Sequence, residues 1–217
     1  MSNQQIQWPS RMTMEEKLQR LQITQGDLDF YSSTFVKDRI HFLINEGQGW
    51  IQAKTSSGND FPLSDNVLAY HLLGKYWVAV YSPEISPYLC LAATVVPDAS
   101  EYFAAVLQWL QTPLIFFSER RQRIQFYAHL DFPIRTRKLS TLTIGELDVR
   151  GLIRGPVTWQ HFPVEGKSIS LPLGRDSVLL RPDTFKPLGT DLKGSIQFIR
   201  ENLTRRRFKA MFPAIAR

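Results

Sequence analysis

The sequence predicts an α+β fold, with mixed or antiparallel sheets flanked by helices. Runs of alternating or β-branched residues, such as KYWVAVYSPE at 75–84 and YLCLAATVV at 88–96, are interleaved along the chain with stretches of helical period. The chain has 217 residues, 43% of them hydrophobic and 12% aromatic, which is enough to bury one generous core. No internal repeat or low-complexity tract breaks this pattern.

The first eleven residues, MSNQQIQWPSR, are polar and without period, and read as a flexible arm over 1–11. Thr13 and Glu16 form a capping-box pair ahead of Leu18, Leu21 and Ile23, so a short helix is expected from about residue 12. A second amphipathic helix is expected in FYSSTFVKDRIHFLINEG, 30–47, where Phe35, Ile40, Leu43 and Ile44 share a face and Gly47 ends it. GWIQAKTSS alternates as a strand before an SSGND turn. FPLSDNVLAYHLLG reads as a helix capped by Ser64 or Asp65, and KYWVAVYSPE as a central strand.

YLCLAATVV is a further strand, and DASEYFAAVLQWLQT a helix with Asp98 as cap and Pro113 beyond its end. LIFFSERRQRIQFYAHLDFPI, 114–134, predicts two strands joined by a charged turn at 118–123. The stretch from Thr141 to Gly174 reads as more short strands, and the C-terminal stretch as a helix to about residue 210. The plan is thus an N-terminal helix and strand part at 12–74, a core at 75–203 and a basic tail at 204–217.

Twenty-six Lys and Arg against 20 Asp and Glu give a net charge of +6, and the excess is uneven. Residues 1–100 carry 7 basic and 10 acidic side chains, whereas 101–217 carry 19 and 10. A basic C-terminal half suits a polyanion, because each Lys or Arg that meets a phosphate releases counterions. The single cysteine, Cys90, sits in an apolar run, which excludes an internal disulfide or a thiolate metal cluster and fits a reducing compartment. The chain shows no secretory leader pattern and no apolar stretch near the length of a membrane span, so a cytoplasmic protein without membrane contact is expected.

The four histidines never fall three or four residues apart, and the common phosphate-loop, dinucleotide and nucleophile-elbow signatures are absent. From 75 to 190 the order is a strand, a helix ending in a Trp-Leu pair, and a strand into a serine-bearing turn. A return strand follows, and then HFPVEGKSISLPLG at 161–174. This order resembles the catalytic core of the archaeo-eukaryotic primases, the primase-polymerase superfamily, over about half the chain. The resemblance implies a primase-polymerase core related to the RNA-recognition fold.

The chain departs from that family where its chemistry resides. Nucleotidyl transfer there needs carboxylates that hold two divalent metals about 4 Å apart, and the family carries an acid pair on the first core strand. Here that strand reads WVAVY, with Ala79 and Tyr81 among the residues in the place of acids. The family's histidine falls near Gln125, its third acid at Gln160, and an arginine that often precedes its Leu-Pro at Ser170. Asp27-Leu28-Asp29 and Glu146-Leu147-Asp148 could each point two carboxylates to one side of a strand, but both lie out of order with the resembling motifs; Glu84, just past the first core strand, is a third outside candidate.

No metal site and no cofactor is therefore expected. Nucleic-acid contacts are expected at Arg120, Arg121 and Arg123 in the charged turn, with Tyr127 or Phe126 as a stacking face. Lys167 and Arg175, in and just after the HFPVEGKSISLPLG segment, and Arg205, Arg206, Arg207 and Lys209 near the C-terminus complete the basic set. The expected function is a catalytically inactive, primase-like module of a replication or mobile-element protein that binds DNA or RNA. Two other readings stay open: an interaction subunit docking a polymerase or helicase, and an active primase-polymerase with relocated metal ligands.

Overall fold

Capping boxes open the first two helices. The computed structural model describes residues 12–47, 49–54 and 59–213, so the arm expected at 1–11, most of the SSGND turn and the last four tail residues lie outside the described residues. Thr13 accepts a hydrogen bond from the Glu16 N–H while Glu16 accepts one from that of Thr13, opening α1 (Met14–Leu21). Thr24 and Asp27 do the same for α2 (Gln25–Phe35). The helix expected over 30–47 therefore begins earlier and ends at Phe35. Beyond it Phe42 and Ile44 are buried while Leu43 and Asn45 are half-buried, the period of two that makes β1 (Phe42–Asn45). So short an apolar run fits both periods, and pairing with neighbouring strands decides it.

β2 (Trp50–Gln52) pairs antiparallel with β1. α3 (Asp65–Leu72) starts after Ser64, whose side chain makes no capping bond, and Asp65 instead pairs with Arg39 at 2.8 Å. β3 (Trp77–Tyr81) and β4 (Ile85–Thr94) follow as expected. α4 (Ser100–Leu110) is capped by Ala99 rather than by Asp98, which sits at φ 61° before the helix. β5 (Leu114–Ser118) and β6 (Arg123–Arg135) form the expected pair around the charged turn.

The strands expected after residue 141 are overturned first by α5 (Thr136–Val149), a fourteen-residue helix. Its β-branched residues suggest strand. Yet Leu139, Thr143, Glu146 and Leu147 recur at helical spacing and are buried, and the Thr143 hydroxyl donates to the Leu139 carbonyl one turn back. After a 3-10 turn at Leu152–Arg154 come β7 (Trp159–Phe162), β8 (Ser168–Ser170) and β9 (Ser177–Leu180). The C-terminal helix expected to residue 210 breaks into α6 (Leu192–Asn202), β10 (Arg205–Arg206) and the single turn α7 (Phe208–Met211). Parallel pairing of β10 with His129 and Leu130 of β6 competes successfully with helix there.

The fold is α+β, with two antiparallel sheets flanked by helices. One sheet runs β2-β1-β3-β8; the other runs β7-β4-β6-β5-β9 with β10 beside β6 as its parallel exception. The Val-Glu-Gly-Lys turn between β7 and β8 carries the chain from one sheet to the other. Gln125, Tyr127 and His129 share one face of β6 and Ile124, Phe126, Ala128 and Leu130 the other, so the long strand separates two cores. The first joins Leu28, Phe35 and Leu68 from the N-terminal part to Val80, Phe116, Tyr127 and Ile199. The second lies under α4 and α5, with Phe103, Val106, Leu139 and Leu147 against Phe126. Among the described residues no helix is long and apolar enough to cross a membrane.

Candidate nucleic-acid interface

β3 alternates, so Trp77, Ala79 and Tyr81 face away from the core that takes Val78 and Val80. Trp77, at the start of the strand, is 6% exposed and collects arginines. The guanidinium groups of Arg120 and Arg175 each lie 4.8 Å from its ring centre, and that of Arg121 lies 5.4 Å away. Arg121 also sits 5.0 Å from the ring of Trp50, which is 38% exposed on β2. The two tryptophans thus bracket the arginine turn between β5 and β6.

Trp77 is fixed from behind, its indole N–H donating to Asp176 Oδ1 at 2.9 Å. Arg121 is fixed too, through Nη1 to Ser170 Oγ at 2.7 Å. Arg120 and Arg175 are exposed and make no hydrogen bond through their side chains to any described residue. Beside them Trp77, Ser118, Arg121, Arg123, Gln125 and Ser170 line a cleft of about 20 Å³, room for one water. Ser118 Oγ and Asp176 Oδ2 are buried without a hydrogen-bond partner among the described residues. Positive charge outweighs negative here, since Asp176 and Glu119 face four arginines.

Three of the positions at which the resemblance implied functional groups, Ala79, Gln125 and Ser170, adjoin at this cleft. Ala79 pairs with Ser170 across the β3–β8 ladder, and Gln125 Nε2 donates to the Ser170 carbonyl at 3.4 Å. Gln125 and Gln160 flank Ala92 in one row of the larger sheet, about 10 Å apart at two strand spacings. Arg123 Nη2 donates to Gln160 Oε1 at 2.7 Å. Tyr81 stands farther along β3, edge-on to His41.

The alternative acid pairs stand elsewhere, on helices rather than strands. Asp27 caps α2 and pairs with Arg200 at 2.9 Å. Burial works to raise its pKa, but the hydrogen bonds from Thr24 and Arg200 hold it below the ordinary carboxylate value. Glu146 and Asp148 lie two apart on α5, where side chains diverge, and pair separately with Arg150 at 3.1 Å and Arg154 at 3.6 Å. Glu84 is exposed between β3 and β4. Among the described residues no three His, Cys, Asp or Glu side chains gather where a metal ion could sit.

Other basic and aromatic candidates separate. Tyr127 is 1% exposed and meets Phe35 and Phe116 edge-on at 5.3 and 5.6 Å, so it is a core residue and offers no face to a base; Phe126 is buried as well. Lys167 is exposed at the Tyr81 end of β3, opposite to the Trp77 end. Arg206 donates to Gln111, while Arg205, Arg207 and Lys209 are exposed. Trp50 and Trp77 were the residues not singled out in the sequence. The available signal is a tryptophan at the start of each of two strands, but only the folded sheet sets both beside the arginine turn.

Two of the histidines, His71 and His161, have partners within the fold. Both ring nitrogens of His71 lie near carbonyl oxygens, of Tyr76 at 3.1 Å and Pro172 at 3.2 Å, and burial pushes its pKa down. His161 Nε2 is 2.7 Å from Ser140 Oγ. Burial raises the Cys90 thiol well above its ordinary pKa, which leaves it unreactive. No family model matches the chain, and no curated protein matches it significantly.

Proposed function

We propose that the chain is a non-catalytic nucleic-acid-binding module that receives a single strand across the arginine turn between β5 and β6. The observation that carries this reading is the gathering of Arg120, Arg121 and Arg175 around Trp77, with Trp50 exposed on the far side of Arg121. Guanidinium groups match phosphate oxygens in a planar fork, and a partly exposed indole offers a face on which an unpaired base stacks. A duplex hides its base faces, so a single strand, DNA or RNA, suits the site better.

The neutral character of the adjoining positions supports the non-catalytic part. Ala79 and Gln160 supply no carboxylate where the resemblance puts metal-binding acids, Gln125 and Ser170 stand where it puts a histidine and an arginine, and Arg123 donates to Gln160. In this reading the HFPVEGKSISLPLG segment links two sheets and braces Arg121 through Ser170, within a replication or mobile-element protein of the reducing cytoplasm. Tryptophan fluorescence during titration with a short unstructured oligonucleotide tests it. Quenching is expected in the presence or absence of a chelator, and Trp50→Ala weakens binding about tenfold, the worth of one stacked base. Binding that needs magnesium, or that ignores Trp50→Ala, removes this reading.

A further inference from the structure

A second cleft, of about 440 Å³, opens between the end of α2, β6 and β10, a volume within the range of small-molecule sites. Its lining includes Lys37 just beyond α2, Arg205 on β10, and His129 and Asp131 on β6. Lys37 donates to the Ser33 carbonyl at the end of α2, which leaves two of its three donors free. The Arg205 side chain makes no hydrogen bond or ion pair with any described residue. Burial, and then the nearby charge of Arg205, lower the proton affinity of Lys37, so the two cations repel one another. Asp131, the cleft's acid, accepts the Phe208 N–H at 3.1 Å.

One lining residue carries an unmatched polar atom just beneath the cleft surface. His129 is 8% exposed, and its Nε2 is buried without a hydrogen-bond partner among the described residues. A side chain so placed asks for a partner that is not supplied by the fold. Tyr88 lies against its ring at 5.9 Å, and the charges of Lys37 and Arg205 act on it. Phe30 and Phe132 line the same cleft, Phe132 being 49% exposed with its ring against Phe208.

We infer that this cleft binds a phosphomonoester, with Lys37 and Arg205 holding the phosphate beside His129 and the Phe132 ring covering the body of the ligand. A monoester carries about −1.5 to −2 at neutral pH, which suits two cations that make no ion pair and outnumber the cleft's one carboxylate, Asp131; a diester carries half as much. The group can belong to a free nucleotide or to the 5′ end of a strand, and both present the same dianion. The inference does not rest on the interface at Trp77, because the clefts share no lining residue.

Calorimetry on the full chain tests it with inorganic phosphate, a nucleoside 5′-monophosphate, the nucleoside alone, and matched 5′-phosphorylated and 5′-hydroxyl oligonucleotides. Phosphate and the monophosphate are expected to bind and to shift the ring-proton resonance of His129. For inorganic phosphate and the monophosphate, Lys37→Ala with Arg205→Ala lowers the affinity at least tenfold, whereas Arg120→Ala with Arg175→Ala, which weakens only the strand, does not change it. A phosphorylated strand that binds no more tightly than its 5′-hydroxyl match assigns the site to free nucleotides, and a gain from the 5′ phosphate that is lost in the Lys37 and Arg205 double variant assigns it to strand ends. The proposal is overturned if phosphate does not bind, if the nucleoside binds as tightly as its monophosphate, or if the Lys37 and Arg205 double variant binds normally.

Discussion

Gly174 shows how tightly single residues are specified. A Cβ built there would stand 2.0 Å from Cε1 of the buried His71 ring, so the Leu-Pro-Leu-Gly end of the segment after β8 is required by close approach. Gly174→Ala is expected to destabilise the protein by about 1–3 kcal/mol as an overpacked site, read as a lower melting temperature. His129 sets a pH dependence. Burial, then the charges of Lys37 and Arg205, depress its pKa to about 4, against 6.5 for an ordinary histidine. The unfolded chain therefore binds the proton first, and stability present above about pH 6.5 is lost as the pH falls towards 4. At 1.36 kcal/mol per unit the full effect is on the order of 3 kcal/mol. His71 and His161 are depressed in the same direction. Chemical denaturation at pH 7 and pH 4.5 should show the loss, and His129→Gln should make it smaller; an equal loss in the variant would contradict this origin.

Elements with a strong local signal were legible before the fold was known, and those decided by long-range pairing were not. The Thr13–Glu16 box, the apolar β3 and β4 runs and the β5–β6 pair are local: caps, β-branched content and a charged turn define them. β1 and β10 are four and two residues long, and their conformation comes from partners far away in sequence, Val80 for Phe42 and His129 for Arg205. α5 failed for a different reason. Its threonines and isoleucine favour strand, but burial of Leu139, Thr143 and Leu147 against the second core outweighs a propensity difference of a few tenths of a kcal/mol per residue. Leu139→Ala should accordingly cost about 2–5 kcal/mol, measured by denaturant unfolding, because Leu139 is fully buried. A loss below 1 kcal/mol would mean that α5 does not anchor that core.

Across the whole molecule, two sheets and two cores bring distant basic and aromatic residues to one edge. The charge excess of residues 101–217 was visible in the sequence, as were Arg120, Arg121 and Arg123. The site's tryptophans were not, since Trp50 and Trp77 reach the turn only through the β2-β1-β3-β8 sheet. Tyr127 looked equivalent to them as an aromatic near arginines, but lies on the inner face of β6. The salt dependence of oligonucleotide affinity is the sharpest test of this edge as a phosphate-binding surface. With three or four arginines engaged, log K should fall against log salt with a slope of about −2 to −3, near −0.7 per phosphate neutralised. Arg120→Ala with Arg175→Ala should weaken binding at least tenfold and flatten that slope by about one unit or more. Affinity that does not change with salt, or a double variant that binds like the unmodified chain, would contradict it.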